Sequence, residues 1–288
     1  MISIRNLSFG YRKTQLYKDF SLELSEPGVY GLFGRNGSGK STLLMLLAGL
    51  LFPRGGKIAL QGHSPAQRHP DFLASVYIVP EEFHLPDLKP ARLAETQSEF
   101  YPNFSRAAFD EYLRIFEVPA EQGFGEMSLG QKKKAAMAFA LATFTPVLLL
   151  DEPTNGLDII GRDQFKAIMA REEQRRRIVL ISTHQAHDLE RIMSHILFID
   201  GASLALSAPM TELARHLRMG VARDVQELAA VEGLIHSEAV GEQIAYVAVN
   251  RSGQPGAVHL ELLYRALSLA KSDVIAALDA RRQEAAHV

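Results

Sequence analysis

The 288-residue sequence carries a formal net charge of −2, 47% hydrophobic residues and no cysteine. That composition is ordinary for a globular chain with a buried core, and it excludes disulfides, thiolate metal sites and cysteine nucleophiles. It offers no global basic field toward nucleic acid, and the missing thiols fit a reducing compartment.

In chain order, Ile2, Ile4 and Leu7 begin a strand pattern, and residues 21–24 alternate as a second strand. The first six residues hold no apolar signal core, and no stretch approaches the roughly 20 apolar residues that span a bilayer. The chain is therefore expected to be soluble by itself and to need a partner for any membrane role. Residues 29–33 read as a buried strand running into glycines. Leu43, Leu44, Leu46, Leu47 and Leu50 follow as one helix with a wide apolar face, stopped by Pro53 and Gly55-Gly56. Residues 57–60 read as another strand.

Between 63 and 145 the character changes. Pro65, Pro70, Pro80, Pro86, Pro90, Pro102 and Pro119 separate short helical patterns, as in a helical subdomain inserted into an α/β core. Residues 147–150 and a stretch within 177–183 are unbroken apolar runs of the kind found in parallel central strands. Residues 196–199, Asp200-Gly201 and 203–206 read as a hairpin. Beyond Pro209 lies an annex with a helix over 211–218, a strand over 244–249 and helices over 260–269 and 274–282. The runs Lys132-Lys133-Lys134 and Arg175-Arg176-Arg177 read as solvated helix faces rather than binding patches.

Gly34-Arg35-Asn36-Gly37-Ser38-Gly39-Lys40-Ser41-Thr42 satisfies G-x-x-x-x-G-K-[ST] at every fixed position, between a strand and a helix. Glycines there let backbone N–H groups curl around phosphates, and the helix N-terminus adds its positive dipole. Lys40 is expected to reach the β- and γ-phosphates and Ser41 to ligate Mg²⁺, with Thr42 beside it. The run 147–150 ends in Asp151-Glu152. Asp151 suits Mg²⁺ held through water, and Glu152 stands where a base would polarise an attacking water.

With these motifs in hand the sequence resembles the ABC ATPase family. Asp151-Glu152-Pro153-Thr154-Asn155-Gly156-Leu157-Asp158 is close to that family's second motif running into its D-loop. Met127-Ser128-Leu129-Gly130-Gln131 looks like its signature, usually Leu-Ser-Gly-Gly-Gln, with Leu129 in place of the first glycine and Met127 in place of the leucine. His184, after Thr183, looks like the switch histidine, and Tyr11 stands where the family has an adenine-stacking aromatic, although a core role suits it too. Glu81 falls where the family has its Q-loop glutamine, and a carboxylate there can also serve Mg²⁺ or its water.

The resemblance covers about residues 1–218. It implies a P-loop ABC-type α/β core with a mixed, largely parallel sheet, an antiparallel β subdomain and an inserted helical subdomain at about 84–145. Residues 219–288 would form a small α+β annex. It further implies an Mg²⁺-dependent ATPase with Glu152, His184 and Lys40 as catalytic groups. ATP would be bound by Tyr11, Gly34, Asn36, Gly37, Ser38, Gly39, Lys40, Ser41, Thr42 and Asp158, and in trans by Ser128, Gly130 and Gln131. Ser41, Asp151 and Glu81 would serve the metal. Two such domains, as a homodimer or a heterodimer, would sandwich two ATPs. The expected partner is an integral membrane permease encoded separately, which puts the chain on the cytoplasmic face of the membrane; no nucleic acid is expected. The insert around Glu81 to Arg92 is the part that faces the permease in this family. A soluble single-domain ABC ATPase acting in macromolecular assembly or on nucleic acid is the alternative, and a non-hydrolysing half of a heterodimer is a third.

Overall fold

The computed structural model describes residues 1–12, 14–184 and 189–286, the stretch 280–286 by its backbone alone. The chain divides into two units, Met1–His184 with Ile199–Leu204, and Gln185–Phe198 with Ala205–Val288.

In the first unit, β1 (Ile2–Tyr11) pairs antiparallel with β2 (Thr14–Leu24) on one side and β4 (Gly55–Leu60) on the other. Four further strands run parallel in the order β5, β6, β7, β3. These are β3 (Gly28–Gly34), β5 (Val76–Val79), β6 (Val147–Asp151) and β7 (Ile178–Ser182). Every residue of β3, β6 and β7 is buried, which is why their sequences run apolar without alternation. Each fully buried aliphatic side chain there contributes about 1.5–3 kcal/mol, so this sheet is a rigid support. The parallel register sets Asp151 beside Ser182 and Leu32 beside Ser182, so the carboxyl ends of three strands meet at one edge. Ligands of open α/β sheets bind at that edge.

Helix α1 (Lys40–Leu47) follows β3 directly. It ends before Leu50, contrary to the apolar pattern, because Gly49 turns the chain left-handed at φ +67°; Leu50 is left 51% exposed. The proline-rich stretch forms α2 (Pro70–Ser75), α3 (Pro90–Gln97), α4 (Arg106–Ile115) and α5 (Leu129–Ala142). Pro70 and Pro90 open their helices, where a missing N–H costs nothing. Ser105 caps α4 by accepting from the Ala108 amide at 3.2 Å. Phe104, Phe109, Tyr77 and Tyr101 surround Phe139 of α5, with ring centroids 5.2 to 6.2 Å away. Then come α6 (Ile159–Met169) and α7 (Glu172–Arg175).

Each charge run has one buried member, while Arg175 and Arg176 are exposed and Lys132 and Lys134 partly so. Lys133 is 4% and Arg177 5% exposed. The Arg177 guanidinium donates to the Leu141 carbonyl at 3.1 Å and to Gln174, and lies over the Phe144 ring. A helix as apolar as 135–142 is buried nearly all round, so only part of its basic second turn can reach water.

The hairpin read at 196–206 is β8 (His195–Asp200) and β9 (Ser203–Pro209). The second unit continues with α8 (Met210–His216), β10 (Leu217–Ala222), α9 (Val225–Ala229), β11 (Leu234–Val240), β12 (Gln243–Val249), α10 (Leu260–Leu269) and α11 (Lys271–Ala286). The helix expected over 211–218 stops at His216. Leu217 and Arg218 instead pair with Val249 and Ala248 of β12, which completes an antiparallel sheet in the order β10, β12, β11. Cross-strand pairing outweighs the local helical pattern there. No helix among the described residues is long and apolar enough to cross a membrane.

Candidate active site

The turn from β3 into α1 builds the floor of the site. Gly39 sits at φ +103°, and a Cβ there would lie 2.6 Å from the Tyr17 hydroxyl, so only glycine fits. That hydroxyl donates to the Gly39 carbonyl at 2.9 Å from a side chain with no exposed surface. Burial pushes the Tyr17 phenol far above its usual pKa, so it remains a donor at any working pH. Lys40 is 7% exposed, and its Nζ donates to the carbonyls of Gly34 at 2.9 Å and Arg35 at 3.3 Å. Burial lowers its pKa, while Glu152, Asp151 and Glu81 pull the other way. The Ser38 hydroxyl is buried in the same loop without a hydrogen-bond partner among the described residues.

The β6 end supplies the acids. Asp151 accepts from the Ser182 hydroxyl across the β6–β7 register. Glu152 holds a left-handed φ of +46°. Its amide donates to the Ser182 carbonyl at 3.0 Å, its own carbonyl accepts from Lys133 Nζ at 2.8 Å, and its Oε1 lies 2.8 Å from His184 Nδ1. Left-handed backbone at a carboxylate is uncommon and persists only where the surroundings hold it. Glu81 accepts from the Asn155 amide at 2.9 Å.

Lys40, Glu81, Glu152 and His184 share one cavity of about 470 Å³, lined also by Tyr11, Leu16, Asn36, Gly37, Gly39, Ser41 and Thr42; Asp151 lies behind it, bonded to Ser182. Tyr11 stands half exposed at the cavity, edge-on to Phe9 and with its hydroxyl 3.2 Å from Thr42 Oγ1, so it is not a core residue. The signature residues are elsewhere. Ser128 and Gln131 close a reciprocal capping box at the start of α5, and Gly130 abuts the Gly156 carbonyl. Leu129, which replaces a glycine of the signature, is 70% exposed. Asp158 caps α6 through the Gly161 amide at 2.8 Å, and its carboxyl is held below the usual range by that bond and by Lys134. Sequence reasoning missed Tyr17, Lys133 and Ser182, which lie outside the motifs' fixed positions or look like ordinary surface residues, and it gives Asn155 no role although that residue falls within the D-loop run.

The residues fit a nucleoside triphosphate with its cation. The desolvated Lys40 ammonium, bonded only to loop carbonyls among the described residues, lies at the cavity where phosphates would sit. The oxygen donors Ser41, Asp151 and Glu81 suit a hard cation. Among the described residues no group of three or more His, Asp or Glu could hold a metal on its own. Mg²⁺ needs only one or two carboxylates when substrate phosphates complete its shell. On fold and site the protein is thus a phosphate-loop nucleoside triphosphatase.

Comparison with known proteins narrows the class. The family model described as "ABC transporter" matches residues 17–155. The chain is 31% identical over 215 residues to the ABC transporter ATP-binding protein YtrB of Bacillus subtilis, covering 74% of this chain and 73% of that protein. It is 28% identical over 222 residues to the bacitracin transport ATP-binding protein BcrA of Bacillus licheniformis, covering 76% and 72%. A solved dimeric ATP-binding cassette in a post-hydrolysis state with ADP and Pi shares the fold, with a TM-score of 0.61 at 22% identity over 73% of this chain and 98% of that one. The chain belongs to the family of ABC transporter ATP-binding proteins, ATPases that serve transport systems.

Proposed function

We propose that this chain hydrolyses Mg²⁺-bound ATP as one of two cassettes that close head to tail over two nucleotides, and that the cycle drives a separate membrane permease from the cytoplasmic face. The observation that carries the reading is the Glu152–His184 pair, 2.8 Å apart on the wall of the phosphate-loop cavity. Residues 1–218 are the ATPase domain in this reading, with the helical insert at about 84–145 and the annex beyond 218.

The backbone N–H groups from Gly34 to Gly39 cradle the phosphates, and Lys40 exchanges its two loop carbonyls for phosphate oxygens. Tyr11 offers its ring to the base. Mg²⁺, when bound, neutralises charge on the transferred phosphoryl group; Ser41 and Asp151, with Glu81, are its protein ligands or hold its waters. Glu152 accepts the proton of the attacking water through its carboxylate, and His184 orients the same water and the terminal phosphate. Ser128, Gly130 and Gln131 act on the partner's nucleotide. In support, Ser128 caps a helix whose N-terminus favours anions, and it lies outside its own cavity. Leu129, Ile159 and Ile160, 70%, 80% and 61% exposed, are apolar surface that a second cassette would cover.

For the permease, a second cavity of about 720 Å³ is lined by Leu50, Leu73, Tyr77, Phe100 and Tyr101 with Arg68, Asp71 and Glu99 beside them, and suits an amphipathic helix. The test is co-purification from native membranes, with ATP turnover measured with and without Mg²⁺. A chain found wholly soluble, with no membrane protein attached, would sink the transport reading; turnover indifferent to Mg²⁺ would sink the metal assignment.

A further inference from the structure

Lys133 lies between two more exposed lysines in the second turn of α5, yet it is buried. An ammonium in that position is expensive, and a methionine of similar shape would fill the space without the desolvation cost. Burial lowers its pKa, against the pull of Glu81, Glu152 and Asp151. Its Nζ donates to the Glu152 carbonyl at 2.8 Å.

That carbonyl belongs to the residue with the left-handed backbone. Glu152 is gripped on both sides of its Cα, at its amide by the Ser182 carbonyl and hydroxyl and at its carbonyl by Lys133 and the Asn155 amide. Together these bonds restrain φ and ψ, and with them the direction in which the carboxylate leaves the backbone toward the cavity. The amide grip is part of the β6–β7 edge and comes with the sheet. The carbonyl also accepts the Asn155 amide at 3.1 Å, a bond of the local turn, and Lys133 adds the shorter, charge-assisted side-chain bond that ties this turn to α5.

We infer that Lys133 is a positioning residue for hydrolysis: by hydrogen-bonding the Glu152 carbonyl it holds the base in its left-handed turn and aims the carboxylate at the attacking water. The inference rests on the reading of Glu152 as the base. It is a claim about geometry, so the donor matters more than the charge.

The test compares the full chain with Lys133→Met, Lys133→Gln and, as a control, Glu152→Gln, reading kcat, KM for ATP and the thermal midpoint. Lys133→Met removes the donor and an awkward buried charge. Its thermal midpoint is expected to stay or rise, with KM within about threefold and kcat down on the order of 10- to 100-fold, the scale of a misplaced group. Lys133→Gln, which keeps an N–H donor without the charge, is expected to recover most of the lost kcat. Three results overturn the inference: Lys133→Met turning over within about twofold of the parent, kcat lost together with the thermal midpoint, or Lys133→Gln as impaired as Lys133→Met. If Glu152→Gln loses about 10²-fold while Lys133→Met does not, Lys133 alone is misassigned. If Glu152→Gln turns over normally, the base assignment and this inference fall together.

Discussion

Replacing Tyr17 with phenylalanine would remove one buried oxygen and leave the ring in place. The hydroxyl donates to the Gly39 carbonyl at 2.9 Å, and that carbonyl also accepts the Leu43 amide at 2.8 Å, the first bond of α1. The acceptor is therefore not orphaned, and only the net value of one neutral hydrogen bond is lost, about 1 kcal/mol. Gly39 sits next to Lys40 at the phosphate loop, so part of that loss should appear as disorder that ATP must remove on binding. At about 1.4 kcal/mol per tenfold, the ceiling is roughly a fivefold weaker ATP affinity, with kcat unchanged. Equilibrium titration with a fluorescent ATP analogue, alongside a thermal melt, measures both effects. A melt lowered by the expected amount with ATP affinity unaltered would refute the link between Tyr17 and the loop. A loss beyond about 100-fold would mean that the hydroxyl touches nucleotide directly.

Lys40→Met should weaken ATP binding by roughly 10- to 150-fold, the worth of a charge-assisted bond of about 1.5–3 kcal/mol, in the same titration. The folded Lys40 pKa is lowered, so the unfolded chain binds more protons in the window below the ordinary lysine value. Stability of the nucleotide-free protein should therefore rise with pH there, and that rise should shrink in Lys40→Met, as chemical denaturation across pH would reveal. Glu81→Gln should change the Mg²⁺ concentration needed for half-maximal turnover; an unchanged Mg²⁺ dependence and rate would argue against a metal role for Glu81. Phe100→Glu puts a charge on the exposed rim of the second cavity. It should abolish stimulation by the permease in reconstituted vesicles while leaving the isolated chain's ATPase rate within about twofold.

The phosphate loop was legible because its chemistry is contiguous: glycines, lysine and hydroxyls must follow one another at fixed spacing between a strand and a helix. Asp151 and Glu152 were legible as the end of an unbroken apolar strand, and the Glu152–His184 proximity follows from two neighbouring parallel strands ending together. What holds those groups in place was not legible. Lys133 and Arg177 look solvated in a run of like charges, and only the burial of α5 and the β7 edge shows otherwise. Tyr17 is one aromatic of an alternating strand until the fold brings it beneath Gly39. The annex beyond Pro209 gives a weak signal: of its three strands only the one at Gln243–Val249 is legible. β10 is stabilised by partners far along the chain, and β11 carries mostly half-exposed residues.

Glu152→Gln tests the assignment of the site most directly, because it exchanges one oxygen for an amide and leaves the surrounding grips intact. ATP turnover and ATP affinity should be measured on the same preparation. A fall in kcat of at least about 10²-fold with affinity held within a few-fold is expected of a lost general base. Turnover at the parent rate would contradict the role given to Glu152 and with it the proposed mechanism of hydrolysis.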